Sequence, residues 1–175
     1  TNSINLNGGT LVASAFTKSS TGASQLATIN FSGGTLKASA SSASFLPALS
    51  GLTANVGNGG AVVDTAGFNI GVDAALVASG TGGLTKTGNG TQTLAGTNTY
   101  TGDTIISNGN LTLSGSASIA TSPNIMVNAG TTLNVASLAS TFTLGPGQML
   151  SGNGNVTGAA TIQGVVAPGT SIGTL

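Results

Sequence analysis

The chain has almost no charge. Three lysines and three aspartates stand in 175 residues, histidine is absent, and charged side chains make up 3% of the total, against about 25% in an ordinary domain. Cysteine and tryptophan are missing, proline occurs 4 times, and aromatic residues amount to 3%. Each gap excludes something. Without cysteine there is no disulfide framework and no thiolate metal site. With zero net charge and no basic cluster, a nucleic-acid partner is not expected. No apolar run reaches the ~18 residues a membrane-spanning helix needs, so direct membrane insertion is not expected. The opening Thr1–Asn5 carries neither the basic nor the apolar region of a secretory leader. The chain reads as a processed product or a fragment of something longer.

What is there is 29 glycines and a background of Thr, Ser, Asn and Ala with scattered Val, Ile and Leu. Disordered chains are typically charge-rich and poor in apolar residues, whereas 39% of this one is apolar. The glycines lack the every-third spacing of collagen. Such a chain has enough apolar surface to fold, and its β-branched content points to strands.

Internal repetition is the strongest signal. Ile4-Asn5-Leu6-Asn7-Gly8-Gly9-Thr10-Leu11-Val12-Ala13-Ser14 returns as Ile29-Asn30-Phe31-Ser32-Gly33-Gly34-Thr35-Leu36-Lys37-Ala38-Ser39. A glycine followed by a short apolar strand then recurs at Gly60, Gly83, Gly109, Gly130, Gly147 and Gly164. From Gly9, through Gly34, the steps are 25, 26, 23, 26, 21, 17 and 17 residues. Apolar and polar residues alternate between the anchors, as in Asp103–Ser107 and Asn110–Ser114, and Gly/Asn/Ser clusters punctuate them. Only the Ala/Ser-rich stretch Ser39–Leu49 lacks a breaker long enough to hold a short helix or an excursion. An antiparallel sandwich or barrel has similar turn spacing, but a unit of roughly 20–25 residues carrying several short strands fits a solenoid coil better. The expectation is an all-β, right-handed single-stranded parallel β-helix of about eight rungs, roughly 40 Å long at the inter-strand spacing of ~4.8 Å. It is expected to run continuously over 1–175, with long-turn coils over 1–80, a distinct repeat over 81–115 and short-turn coils over 116–175.

That distinct repeat carries a family resemblance. Gly83-Leu84-Thr85-Lys86-Thr87-Gly88-Asn89-Gly90, Leu94-Ala95-Gly96-Thr97-Asn98-Thr99-Tyr100-Thr101-Gly102-Asp103-Thr104 and the following Gly109-Asn110-Leu111 resemble the autotransporter passenger-associated repeat, which reads G-L-x-K-x-G-x-G-x-x-x-L-x-G-x-N-x-Y-x-G-x-T. Its motif positions here are Lys86, Gly88, Gly90, Leu94, Gly96, Asn98, Tyr100, Gly102 and Thr104; Gln92 and Asp103 fall at variable positions. Gly60–Ile70 is similar to the segment that often precedes this repeat, and Val166–Leu175 to the A-P-G-x-S-x-G-T-L element that often follows it. The resemblance implies a right-handed parallel β-helix, secreted or displayed at the outer-membrane surface of a bacterium, whose translocating barrel or anchor is not in this chain.

The inventory for chemistry is short: Asp64, Asp73, Asp103, Lys18, Lys37, Lys86 and Tyr100. A glycosidase needs two carboxyl groups facing across one site, and Asp64 and Asp73 each sit in a turn with nothing basic beside them. A lyase would have to stabilise charge with one of three scattered lysines. Calcium-binding solenoids place an aspartate in every turn, and here three are dispersed irregularly. Gly80–Gly90 does not end in Gly-Lys-Ser/Thr, so it is no phosphate loop. No enzyme, metal or cofactor is expected. Lys86 is read as a solvated or turn-contacting lysine, Asn98 as bonding turn backbone, and Tyr100 as covering the apolar face of a rung. The Asn-x-Ser/Thr triplets at Asn30, Asn89, Asn110 and Asn155 carry little weight in so Asn- and Thr-rich a chain. A structural stalk or scaffold is the leading expectation. Its alternatives are an adhesive or glycan-binding surface and a filament or sheath subunit that associates end to end through its solenoid edges.

Overall fold

The computed structural model describes residues 2–17 and 26–169. Lys18 and Thr170–Leu175, the latter most of the A-P-G-type element, lie outside them. Among the described residues all the secondary structure is strand, and every pairing is parallel. Short strands of three to seven residues broken by glycine turns leave the chain no length for hairpin arms. Each strand therefore pairs with its equivalent one coil away.

The coil has three faces. The first holds β1 (Asn2–Leu6), β3 (Ala27–Phe31), β6 (Leu52–Val56) and β9 (Leu76–Ala78). The second is the longest, eight strands in order: β2 (Thr10–Ala13), β4 (Thr35–Ala38), β7 (Ala61–Asp64), β10 (Leu84–Thr87), β12 (Thr104–Ile106), β14 (Asn124–Val127), β17 (Met149–Gly152) and β20 (Val165–Pro168). The third holds six: β5 (Ser42–Leu46), β8 (Ile70–Val72), β11 (Thr91–Leu94), β13 (Asn110–Gly115), β15 (Thr132–Leu138) and β18 (Asn155–Thr157). A separate pair, β16 (Phe142–Leu144) with β19 (Ala160–Ile162), completes the set. The solenoid makes about six turns rather than the expected eight. The coils of β2 and of β20 lack a third-face strand among the described residues.

Two further expectations are corrected. Ser39–Leu49 is neither helix nor loop. It contains β5, which pairs with β8 across a register irregularity between Ser42 and Leu46. The glycine spacings also mixed two faces. Gly83 precedes a second-face strand, but Gly109 and Gly130 precede third-face strands β13 and β15. The register pairs Leu84 with Thr104, Thr104 with Ile125, Ile125 with Leu150 and Leu150 with Val166, so coil length does not shorten steadily along the chain.

Alternation puts every second residue inside. The core is a set of columns, each side chain resting on its register partner in the next coil: Leu36, Val63, Lys86, Ile106 and Val127 form one. Leu36, Leu84, Leu94, Ile106, Leu111, Leu113 and Leu133 are wholly buried, and each contributes ~1.5–3 kcal/mol of apolar burial. Outside the core, Asn5, Asn30 and Asn55 stack in register. Asn55 Nδ2 donates to Asn30 Oδ1 at 2.8 Å and Asn30 Nδ2 to Asn5 Oδ1 at 2.7 Å, an amide ladder of the kind stacked parallel strands support.

Candidate functional site

Lys86 sits in that core column. Leu84 faces inward, so the residue two along on the same strand must as well, and Lys86 is completely buried. It is not solvated. Its Nζ donates to Gly88 O at 2.7 Å, Thr87 O at 2.9 Å, Asn108 O at 2.9 Å and Thr65 Oγ1 at 3.2 Å. Thr65 belongs to the preceding coil and Asn108 to the following one, so a single amine ties three successive turns between the second and third faces. Three hydrogens serve four acceptors, and at least one is shared. Thr65 Oγ1 is itself fixed, accepting from Gly90 N at 3.1 Å. Burial pulls the Lys86 pKa down to about 8, with the charge of Asp64 working in the opposite direction. At neutral pH the group still carries its proton.

Asn98 replaces a broken strand. After β9 the first-face sheet stops, and the next two coils cross that face as Thr97–Tyr100 and Ala117–Ala120, joined by one bridge between Thr97 and Ser118. The carboxamide of Asn98 fills the gap. Its Oδ1 accepts from Leu76 N at 2.9 Å, in the coil before; its Nδ2 donates to Gly96 O at 2.9 Å and to Ser118 O at 3.1 Å, in the coil after. The side chain thus supplements the main-chain bonds that remain here, Thr99 N to Leu76 O at 2.9 Å and Asn98 N to Ser118 O at 3.0 Å.

Tyr100 is wholly buried beneath this segment and heads a line of hydroxyls. Tyr100 Oη lies 2.7 Å from Thr104 Oγ1, which donates to Ser122 Oγ at 3.0 Å, which donates to Asn124 O at 3.1 Å. Because Thr104 spends its single hydrogen on Ser122, the Tyr100 hydroxyl is the donor to Thr104. Burial pushes the Tyr100 pKa up, so the phenol stays protonated and keeps that direction.

The motif glycines are where coils touch. A Cβ on Gly90 would run into Phe68 O of the coil below, one on Gly96 into Ala75 N, and one on Gly102 into Gly83 N. Gly88 combines close approach to Asp64 and Ala66 with φ of +76°, a conformation L side chains rarely adopt. Leu94 is an ordinary core residue between Val72 and Leu113.

Gln92, at a variable position of the motif, lies in the core. It faces inward between Ile70 and Leu111, is completely buried, and neither its Oε1 nor its Nε2 finds a partner. The period-two pattern with Leu94 was the signal that placed it inside.

The carboxylates are not brought together. Asp64 pairs with Lys37 at 3.4 Å and caps its own turn through Ala66 N at 2.8 Å. Asp73 accepts from Ser44 Oγ. Asp103 lines a shallow groove over the turns at Gly59–Gly60 and Gly82–Gly83. Among the described residues no three of His, Cys, Asp or Glu cluster as metal ligands would.

No curated protein and no solved structure matches the chain. A family model does, and over the stretch just described. Residues 84–113 carry the passenger-associated-transport-repeat, a family that implies a secreted or surface location in bacteria.

Proposed function

We propose that this chain is a non-catalytic structural segment of a bacterial autotransporter-like passenger, a stalk or scaffold displayed at the outer-membrane surface or released from it. One observation carries the reading. The polar residues of the family motif spend their hydrogen bonds on the chain itself: Lys86, Asn98 and Thr104 bond neighbouring coils, and Tyr100 bonds Thr104. None of these four motif side chains is left facing outward. A stack of parallel coils grows by ~4.8 Å per turn, so it converts sequence length directly into reach.

The test places the chain between an outer-membrane anchor and a fluorescent tag. Deleting whole coils should draw the tag toward the membrane in equal steps of about 5 Å per coil, with display retained. Cleavage of a polysaccharide by the purified chain, lost in Asp64→Asn or Asp73→Asn, would overturn the reading.

A further inference from the structure

Five turns contain Asn-Gly: Asn7-Gly8, Asn58-Gly59, Asn89-Gly90, Asn108-Gly109 and Asn153-Gly154. This dipeptide can close on itself, because glycine leaves its main-chain nitrogen open to the neighbouring carboxamide. The five turns differ in what restrains them. Gly90 N is held by Thr65 Oγ1 at 3.1 Å and Gly154 N by Val127 O at 2.9 Å, so neither nitrogen is free to attack. The Asn58 carboxamide is pinned, its Oδ1 accepting from Thr81 N at 3.1 Å. At Asn108-Gly109 neither the Asn108 side chain nor Gly109 N makes a hydrogen bond among the described residues, and Asn108 is exposed. The Asn108 main-chain oxygen accepts from Lys86 Nζ at 2.9 Å.

We propose that Asn108-Gly109 is a self-modification site, with Lys86 as the positioning residue that activates it. The oxygen held by Lys86 belongs to the peptide group whose nitrogen is the nucleophile. A cationic donor on that oxygen draws electron density from the amide and makes the Gly109 N–H more acidic. Once that proton passes to solvent, the nitrogen attacks Asn108 Cγ. A carbon–nitrogen bond forms, the Cγ–Nδ2 bond breaks, and ammonia leaves with a proton taken from water. The five-membered succinimide is then opened by water at either carbonyl. One opening gives aspartate and the other gives isoaspartate, with the main chain rerouted through the side chain. Water is the only co-reactant, and no electrons are exchanged. Either product sets a carboxylate beside the turn that Lys86 holds.

The experiment incubates the folded full chain from neutral to alkaline pH and follows each Asn-Gly by peptide mapping and isoaspartate detection. Asn108 should convert while Asn89 and Asn153 persist until the chain is denatured. Asn7, whose turn has no lysine contact among the described residues, reports the unassisted reaction. Lys86→Met should slow Asn108 several-fold and leave Asn7 unchanged. In the wild type, the ratio of the Asn108 rate to the Asn7 rate should fall as pH passes about 8, where Lys86 discharges; Asp64, itself paired with Lys37, is the charged group acting on it. A merely structural lysine would leave that ratio flat. Should Lys86→Met not fold, the wild-type ranking and its pH profile decide alone. Equal rates at Asn108, Asn89 and Asn153 in the folded chain, a flat ratio, or a folded Lys86→Met with undiminished conversion would overturn the proposal.

Discussion

Lys86 Nζ and the main-chain oxygen of Asn108 lie 2.9 Å apart across the step from one coil to the next. The same nitrogen reaches back to Thr65 in the coil before. Removing it leaves the main-chain oxygens of Gly88 and Asn108 without their protein partner, while Thr87 O keeps its bond from Thr65 N at 3.0 Å. Lys86→Met, which keeps the apolar stem, is therefore expected to cost ~2–4 kcal/mol. Urea titration followed by circular dichroism measures this as a lower midpoint with an unchanged slope.

Stability should also depend on pH through this residue. The folded-state pKa is about 8 against 10.5 for free lysine, so between those values the unfolded chain binds more protons than the folded one. Stability then rises with pH across that window, by up to ~3 kcal/mol. Tyr100 acts in the opposite sense. Its pKa is raised by burial, so above ~10 the unfolded phenol ionises while the folded one does not, and stability falls. Wild-type thermal midpoints should climb above pH 8 and turn over near pH 10. Lys86→Met should lose the climb and keep the fall.

Gln92 offers the opposite test. Its buried amide has no partner, and its register neighbours are Ile70 and Leu111. Gln92→Leu removes two unsatisfied polar atoms and continues an apolar column. It is expected to stabilise the chain by ~1–3 kcal/mol, seen as a raised denaturation midpoint.

Asn98 separates geometry from bulk. Asn98→Asp retains the acceptor for Leu76 N but loses the donors to Gly96 O and Ser118 O, whereas Asn98→Ala loses all three bonds. Alanine should cost ~2–4 kcal/mol on the basis of the buried groups left unpaired. Hydrogen exchange at Leu76 N should accelerate sharply in Asn98→Ala and much less in Asn98→Asp.

These residues also mark how far the sequence could be read. The near-identity of Ile4–Ser14 with Ile29–Ser39 is the register itself: Ile4 pairs with Ile29 and Leu11 with Leu36. Parallel coils were legible because each strand resembles the one it rests on. Of the two readings of Lys86, solvated fails and turn-contacting holds, in its bonds to Gly88 O and Asn108 O; strand period signals the burial of Lys86 and Gln92, since Leu84 and Leu94 each stand two residues away on the same face. The bridging role of Asn98 left no such trace. It depends on where the first-face sheet breaks after Ala78, and no local pattern records an interruption that a side chain repairs.

Native-state hydrogen exchange across the whole chain tests most directly whether the motif residues lock successive coils together. Amides of the coils that Lys86 and Asn98 join, among them Leu76, Gly90 and Ser107, should be the slowest, opening only in global unfolding. If those amides exchange as fast as the amides of Asn2–Leu6, the repeat stitches nothing and the account fails.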